Sequence, residues 1–221
     1  MTTKQASRQV LIPPSPAFRA NTTQAITLKG STALVTEFFK YAVNTILFQR
    51  EVYPSDDFHM VKKYGQVVLV TQDLALENYL EKILKQVQKW ILTGAVTQLV
   101  LVILAKETRV ALERWVFDIK LVEPAADSGE STSSKPEAEI QSEIRAILKQ
   151  IVSMVTFLPV MQEEKVFNIL AYTSDSADVP VGEWVDTDPQ AIEAGKSQQV
   201  KLRSFSTDIH RIDAMVAYRY E

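Results

Sequence analysis

The side chains able to do chemistry are few, and their spacing is poor. The chain has two histidines, His59 and His210, and no cysteine. Thiolate chemistry and disulfides are therefore excluded, and two distant histidines make poor material for a zinc site. The six glycines, at positions 30, 65, 94, 129, 182 and 195, stand too far apart to build a loop that cradles phosphate. The acidic pairs Asp56–Asp57 and Glu163–Glu164 lie in polar stretches and read as solvated loop charges, not as an acid/base dyad. No nucleophile-elbow pattern occurs. His59 falls in a polar loop and His210 between two strands, so both are expected in structural or exposed roles. This inventory points to a binding module: no catalytic residue, no metal and no cofactor is expected.

Composition narrows the class further. The chain has 221 residues, 46% of them hydrophobic, which suits one domain with a real core. Its net charge of -3 offers no excess of cations to neutralise phosphates, so nucleic-acid binding is not expected. No apolar run approaches the roughly 18 residues that span a bilayer, so no membrane partner is expected. Residues 1–24 lack the apolar core of a signal peptide, which makes the nucleus or cytoplasm the default location.

Elements must now position whatever does the binding. Residues 1–25, with Pro13, Pro14 and Pro16, read as a flexible tail; Val10–Ile12 is either solvated or a docking motif. A first helix is expected from about Ser31, with Leu34, Val35, Phe38, Phe39, Val43, Ile46 and Leu47 on one face, ending before Pro54. A second is expected between an Asp73 N-cap and a Gly94 C-terminal cap. Leu99–Leu104 reads as a strand buried on both faces. Residues 106–109 then turn into a second strand, 112–122, with Trp115, Phe117, Ile119 and Leu121 on one side. Residues 123–138 are too polar to repay their ordering entropy and read as a long surface loop. A third helix covers about 137–155, and 166–172 alternates as a strand, with Val166, Phe167, Ile169 and Ala171 set against Asn168, Leu170 and Tyr172. Residues 173–199 are irregular, and strand-like runs at 200–206 and 212–220 follow. The expected class is α+β: three helices on one mostly antiparallel sheet.

Several stretches, in order, carry a resemblance. They are Ile26–Ser31 (ITLKGS), Glu37–Phe39, Asn44–Arg50 (NTILFQR), Val52–Pro54, Glu113–Trp115, Thr156–Pro159 (TFLP), Leu202–Thr207 (LRSFST) and Met215–Tyr218 (MVAY). Together they resemble the spindle-checkpoint HORMA proteins. That resemblance implies a core over 26–173 and a mobile β-rich C-terminal "safety belt" over 174–221. In an open state the belt covers one sheet edge. In a closed state it moves to the other edge and wraps a peptide. The implied partners are the coiled-coil kinetochore receptor, the activator of the anaphase-promoting complex, a HORMA-type comet adaptor with its AAA+ remodelling ATPase, and a second copy in an open–closed self-dimer. Nucleus, kinetochore and cytoplasm are the implied locations.

An exposed strand edge accepts an extended peptide through its unpaired amides and carbonyls. The expected receiving edge is 166–172, with Phe167, Ile169, Ala171 and Tyr172 lining the groove. Trp90 and Trp184 are either its anchors or plain core residues. By resemblance, Arg50, Lys149, Gln150, Phe157 and Arg203 form the self-pairing surface. Lys149 departs from the usual arginine and loses its bidentate fork. Leu28, Val216 and Tyr218 are implied to pack differently in the two states. Two relatives compete with this reading: the HORMA subunit of translesion polymerase, and the meiotic chromosome-axis HORMA proteins.

Overall fold

The computed structural model describes residues 26–122 and 134–220. The tail over 1–25 and most of the loop over 123–138 lie outside that range. The elements run α1 (Leu28–Gln49), β1 (Phe58–Lys63), β2 (Gln66–Thr71), α2 (Leu74–Thr93), β3 (Val96–Ala105), β4 (Ala111–Leu121), α3 (Glu137–Met154), β5 (Lys165–Thr173), β6 (Ser197–Ser206) and β7 (His210–Arg219).

Local chemistry sets the helix ends. The Thr27 hydroxyl accepts the Gly30 amide at 3.1 Å, so α1 starts three residues before the expected Ser31. Asp73 Oδ1 accepts the Leu76 amide at 2.7 Å. Gly94 takes the left-handed conformation (φ 69°), which lets the Gly94 and Ala95 amides close the last turn of α2 on the Ile91 and Trp90 carbonyls.

The main sheet is antiparallel throughout, in the order β5–β3–β4–β7–β6. Helices cover one face. β3 is buried on both: Leu99, Leu101 and Ile103 join the helix-side core, while Val100, Val102 and Leu104 form an outer cluster with Val116 and Leu170. A separate hairpin, β1–β2, turns at Tyr64 and Gly65, both with positive φ. His59 therefore sits on a strand, exposed, and not in a loop. That strand was hard to read because Met60 faces solvent and only Phe58 of β1 is buried. Two other expectations are corrected. Leu121 is 61% exposed, because it lies at the sheet's end beyond Ile119. Val166 points to the outer face with Leu170 and Tyr172, opposite Phe167, as strict alternation along a strand requires.

The β6–β7 hairpin is built into the core. Phe205, Ile212, Ala214 and Val216 are buried in the helix-side cluster, and the Phe205 ring stands edge-on to Phe38 at 4.9 Å. The terminal segment is therefore half strap and half core: residues 174–196 are irregular and the hairpin is not. Phe205→Ala is expected to lower the unfolding free energy by about 3–5 kcal/mol in a denaturant titration, the range for a fully buried aromatic. A change near zero would mean that the hairpin does not pack on α1.

Candidate peptide-binding site

β5 is a sheet edge. One side pairs with β3 from Ala105↔Lys165 to Val96↔Thr173, and among the described residues no strand pairs with the other. Its outward backbone groups are therefore available to an added strand.

Residues 174–196 cross this edge. Ala177 and Trp184 pack on the helix-side core, whereas Ile192 packs on the outer cluster. The segment thus passes from one face of the sheet to the other around β5. Side chains from α2 hold its first part. Trp90 Nε1 and Gln86 Nε2 donate to the Asp178 carbonyl at 2.9 and 3.3 Å, and the Trp90 and Trp184 rings meet edge-on at 4.8 Å. Asn168 Nδ2 on β5 donates to Gln190 Oε1 at 3.2 Å and holds the later part.

Two concavities lie along the strand. One, of about 230 Å³, is formed by Tyr79, Ile83, Asn168, Ile169, Leu170 and the belt around Trp184. The other, of about 590 Å³, lies toward the start of β5 among Val52, Tyr53, Leu76, Tyr79 and Phe167. Tyr79 borders both, and Phe167 meets Tyr53 and Tyr79 edge-on at 6.1 and 5.8 Å. Apolar pockets spaced along an unpaired edge are what strand addition needs: backbone for affinity, pockets for alternate side chains. The belt above is acidic. Between residues 174 and 195 stand Asp175, Asp178, Glu183, Asp186, Asp188 and Glu193, with no lysine or arginine.

The comparisons agree with this architecture. A HORMA-domain family model matches residues 31–210. The "Mitotic spindle assembly checkpoint protein MAD2A" of Dictyostelium discoideum is 51% identical over 194 residues, covering 88% of this chain and 93% of that protein. A chain in a crystal structure of a mitotic checkpoint complex superimposes with a TM-score of 0.78 at 44% identity, covering 86% of this chain and 99% of that one. The DNA polymerase zeta processivity subunit of Schizosaccharomyces pombe stands further off, at 28% identity over 171 residues, 75% of this chain and 79% of that protein. This chain is a HORMA-domain protein of the mitotic spindle checkpoint family.

Within the HORMA fold, the residues expected from sequence separate by position. Phe167, Ile169, Trp90 and Trp184 all meet at or beside the β5 groove. Ala171 packs inward on the helix-side core. Tyr172 is a correction. It lies on the outer face, where its hydroxyl accepts from Arg114 Nη2 at 3.3 Å, and it lines neither concavity. Sequence reasoning missed Tyr79, Gln86, Asn168 and Gln190. The acidic run through 175–193 was the available signal for the belt.

The self-pairing set is dispersed. Phe157 is 75% exposed and Val160 80%, together forming an apolar patch after α3. Lys149 is exposed on α3, while the neighbouring Gln150 accepts the Arg203 amide at 2.7 Å and so ties α3 to β6. Arg50 is not a surface residue. It is buried, donates to both Glu113 oxygens at 2.6 and 3.1 Å, and caps the Pro159 carbonyl at 2.6 Å. Burial pushes the Glu113 carboxyl up, and the guanidinium beside it opposes that shift. Arg50 thus ties Glu113 to the segment after α3 that carries Phe157. Of the state-sensitive residues, Leu28 starts α1 half-exposed, and Val216 is fully buried between β4 and β6. Tyr218 donates its hydroxyl to Gln198 at 2.6 Å.

Arg50→Ala is expected to destabilise the fold by about 3–5 kcal/mol, because Glu113 is left buried without its cation. Chemical denaturation monitored by tryptophan fluorescence checks this, and a loss under about 1 kcal/mol would show the pair to be solvated.

Proposed function

We propose that this chain is a non-enzymatic spindle-checkpoint clamp: it adds an extended peptide to β5 and holds it beneath residues 174–196. The observation that carries the reading is the division of the two sheet edges. The β6–β7 hairpin occupies the β4 side, which leaves β5 unpaired and strapped. This is the belt placement that family resemblance associates with a captured guest. The guests inferred are segments of the coiled-coil kinetochore receptor and of the anaphase-promoting-complex activator, and capture of the latter delays anaphase. The acidic belt favours guests carrying basic residues beside β-branched or leucine side chains, which suit the Ile83–Ile169 floor.

The strap also dictates kinetics. A guest lying under Trp184 leaves only if the contacts to Trp90, Gln86 and Asn168 open, so association and dissociation are both slow. The exposed patch at Phe157 and Val160, with Lys149, is the surface inferred for pairing with a second copy in the other belt arrangement. A HORMA-type comet adaptor and its AAA+ ATPase would undo the clamp by pulling the strap open. Action at kinetochores, with pools in nucleus and cytoplasm, follows from these partners. The polymerase-subunit reading is weaker, given the larger identity to checkpoint relatives.

Labelled activator and receptor peptides test this by fluorescence polarisation, with a polymerase-derived peptide as competitor. Tight capture of the first two is expected. Ile169→Asp should abolish it, and Trp184→Ala should accelerate release by at least about tenfold, the equivalent of one lost aromatic contact of about 1.4 kcal/mol. Preference for the polymerase peptide, or release indifferent to Trp184, contradicts the proposal.

A further inference from the structure

The turn between β6 and β7 is held by a buried polar cluster that the peptide site does not use. Ser31 on α1, Thr207 and His210 are 0, 3 and 1% exposed. Ser31 Oγ lies 2.6 Å from His210 Nδ1 and 2.7 Å from Thr207 Oγ1. Thr207 Oγ1 also accepts the Ile209 and His210 amides at 3.1 and 2.8 Å, and the Thr207 amide donates to the His210 carbonyl at 2.8 Å. The turn is thus wound around one hydroxyl, and that hydroxyl is joined to α1. On its solvent side Asp208 accepts from Ser134 Oγ at 2.9 Å and from the Lys135 amide at 3.0 Å, just before α3.

Buried polar groups are hydrogen-bonded or they penalise the fold. Here each of the three depends on the others across a gap of about 180 residues in sequence. The cluster contributes only while β7 lies against β4. If the hairpin leaves, Ser31 faces water and needs no partner, whereas with the hairpin docked an unpaired Ser31, Thr207 or His210 would be buried. We propose that Ser31, Thr207 and His210 form a latch that fastens the belt's hairpin turn to the start of α1 and so sets how long this belt arrangement lasts. The inference rests on the clamp reading for its consequence, slow guest release, but the latch itself is a property of the guest-free chain.

The proton count favours a neutral ring. In one direction Thr207 donates to Ser31 and Ser31 to Nδ1. In the other, Nδ1–H donates to Ser31, Ser31 to Thr207, and Thr207 to the His210 carbonyl. An imidazolium permits only the second and leaves a charged, buried Nε2–H that the Ile91 carbonyl faces without closing a hydrogen bond among the described residues. Among the described residues, the elements packed around the ring supply no compensating anion. α1 presents Ser31, and α2 presents the Ile91 carbonyl. β4 places Asp118 and Lys120 along the nearby concavity, where Gln98 holds Asp118 and Asp213 holds Lys120. The turn's own Asp208 is bound to Ser134 and Lys135. Burial accordingly holds the imidazole below its ordinary value of 6.5. Below that pH the detached turn gains a proton that the docked turn refuses, so docking weakens as pH falls.

Amide hydrogen exchange on the full, guest-free chain tests the latch, using Ser31→Ala, His210→Phe and the double variant. Exchange of β7 amides, residues 210–219, should accelerate about tenfold or more in Ser31→Ala, which orphans the buried His210 Nδ1 and cuts Thr207 off from α1, while α2 amides hold their rate. The double variant should lose less than the sum of the singles, because it removes both partners. After correction for intrinsic exchange, wild-type β7 protection should fall between pH 7 and pH 5.5 and that of His210→Phe should not. Unchanged β7 exchange in Ser31→Ala, additive losses, or an equal acid response in His210→Phe each overturns the latch. Failure of wild type to capture activator peptide would instead overturn the clamp and leave these exchange outcomes decisive for the latch.

Discussion

The three strands β5–β3–β4 have two edges, and the β6–β7 hairpin covers only the β4 edge. That constraint organises the molecule. Nine paired positions join β4 to β7, from Glu113↔Tyr218 to Leu121↔His210. Because those bonds are satisfied on the β4 side, the β5 side is left, among the described residues, as a row of backbone groups open to an added strand. The proposed function rests on that unpaired row.

The terminal segment divides into two mechanical parts. Between backbone bonds at its two ends, Ser174 to Ala95 and Tyr220 to Lys196, the segment 174–196 touches the rest of the chain through a few side-chain contacts and one tryptophan pair, a pattern suited to opening locally. The hairpin buries Phe205, Ile212, Ala214 and Val216 against the helices, and its release would expose a large apolar surface. Strap opening and hairpin relocation are therefore events of different cost. Hairpin release costs more, because most of the hairpin's inner face must leave the core.

Much of this was legible in the sequence. The 3.6-residue stripes placed all three helices, because their apolar faces meet one core with little interruption. Asp73 and Gly94 marked the ends of α2 through chemistry that acts within one turn. The run at 99–104 announced a strand buried twice over, and β3 is that strand. β1–β2 was legible only as strand or loop, since its outward Met60 and Val67 break the expected alternation. At the candidate site, Phe167, Ile169, Trp90 and Trp184 were legible as large apolar side chains, and they lie at or beside the β5 groove. Tyr172 misled because it stands near the far end of β5, beyond both concavities, where Arg114 claims its hydroxyl. Arg50 misled more deeply: nothing local shows that its partner is Glu113, 63 residues away. Long-range pairs of polar groups, including Ser31 with His210, are written in tertiary contact and not in local pattern.

The central claim is that a guest becomes the sixth strand of the sheet beside β5 and beneath the strap. Hydrogen exchange of the β5 backbone with and without saturating activator peptide measures this directly. The account predicts that the outward-facing amides of residues 165–173 become strongly protected on binding, together with amides in 177–190, while those already bonded to β3 change little. Protection confined to the helices, with β5 and the strap unaltered, would contradict it.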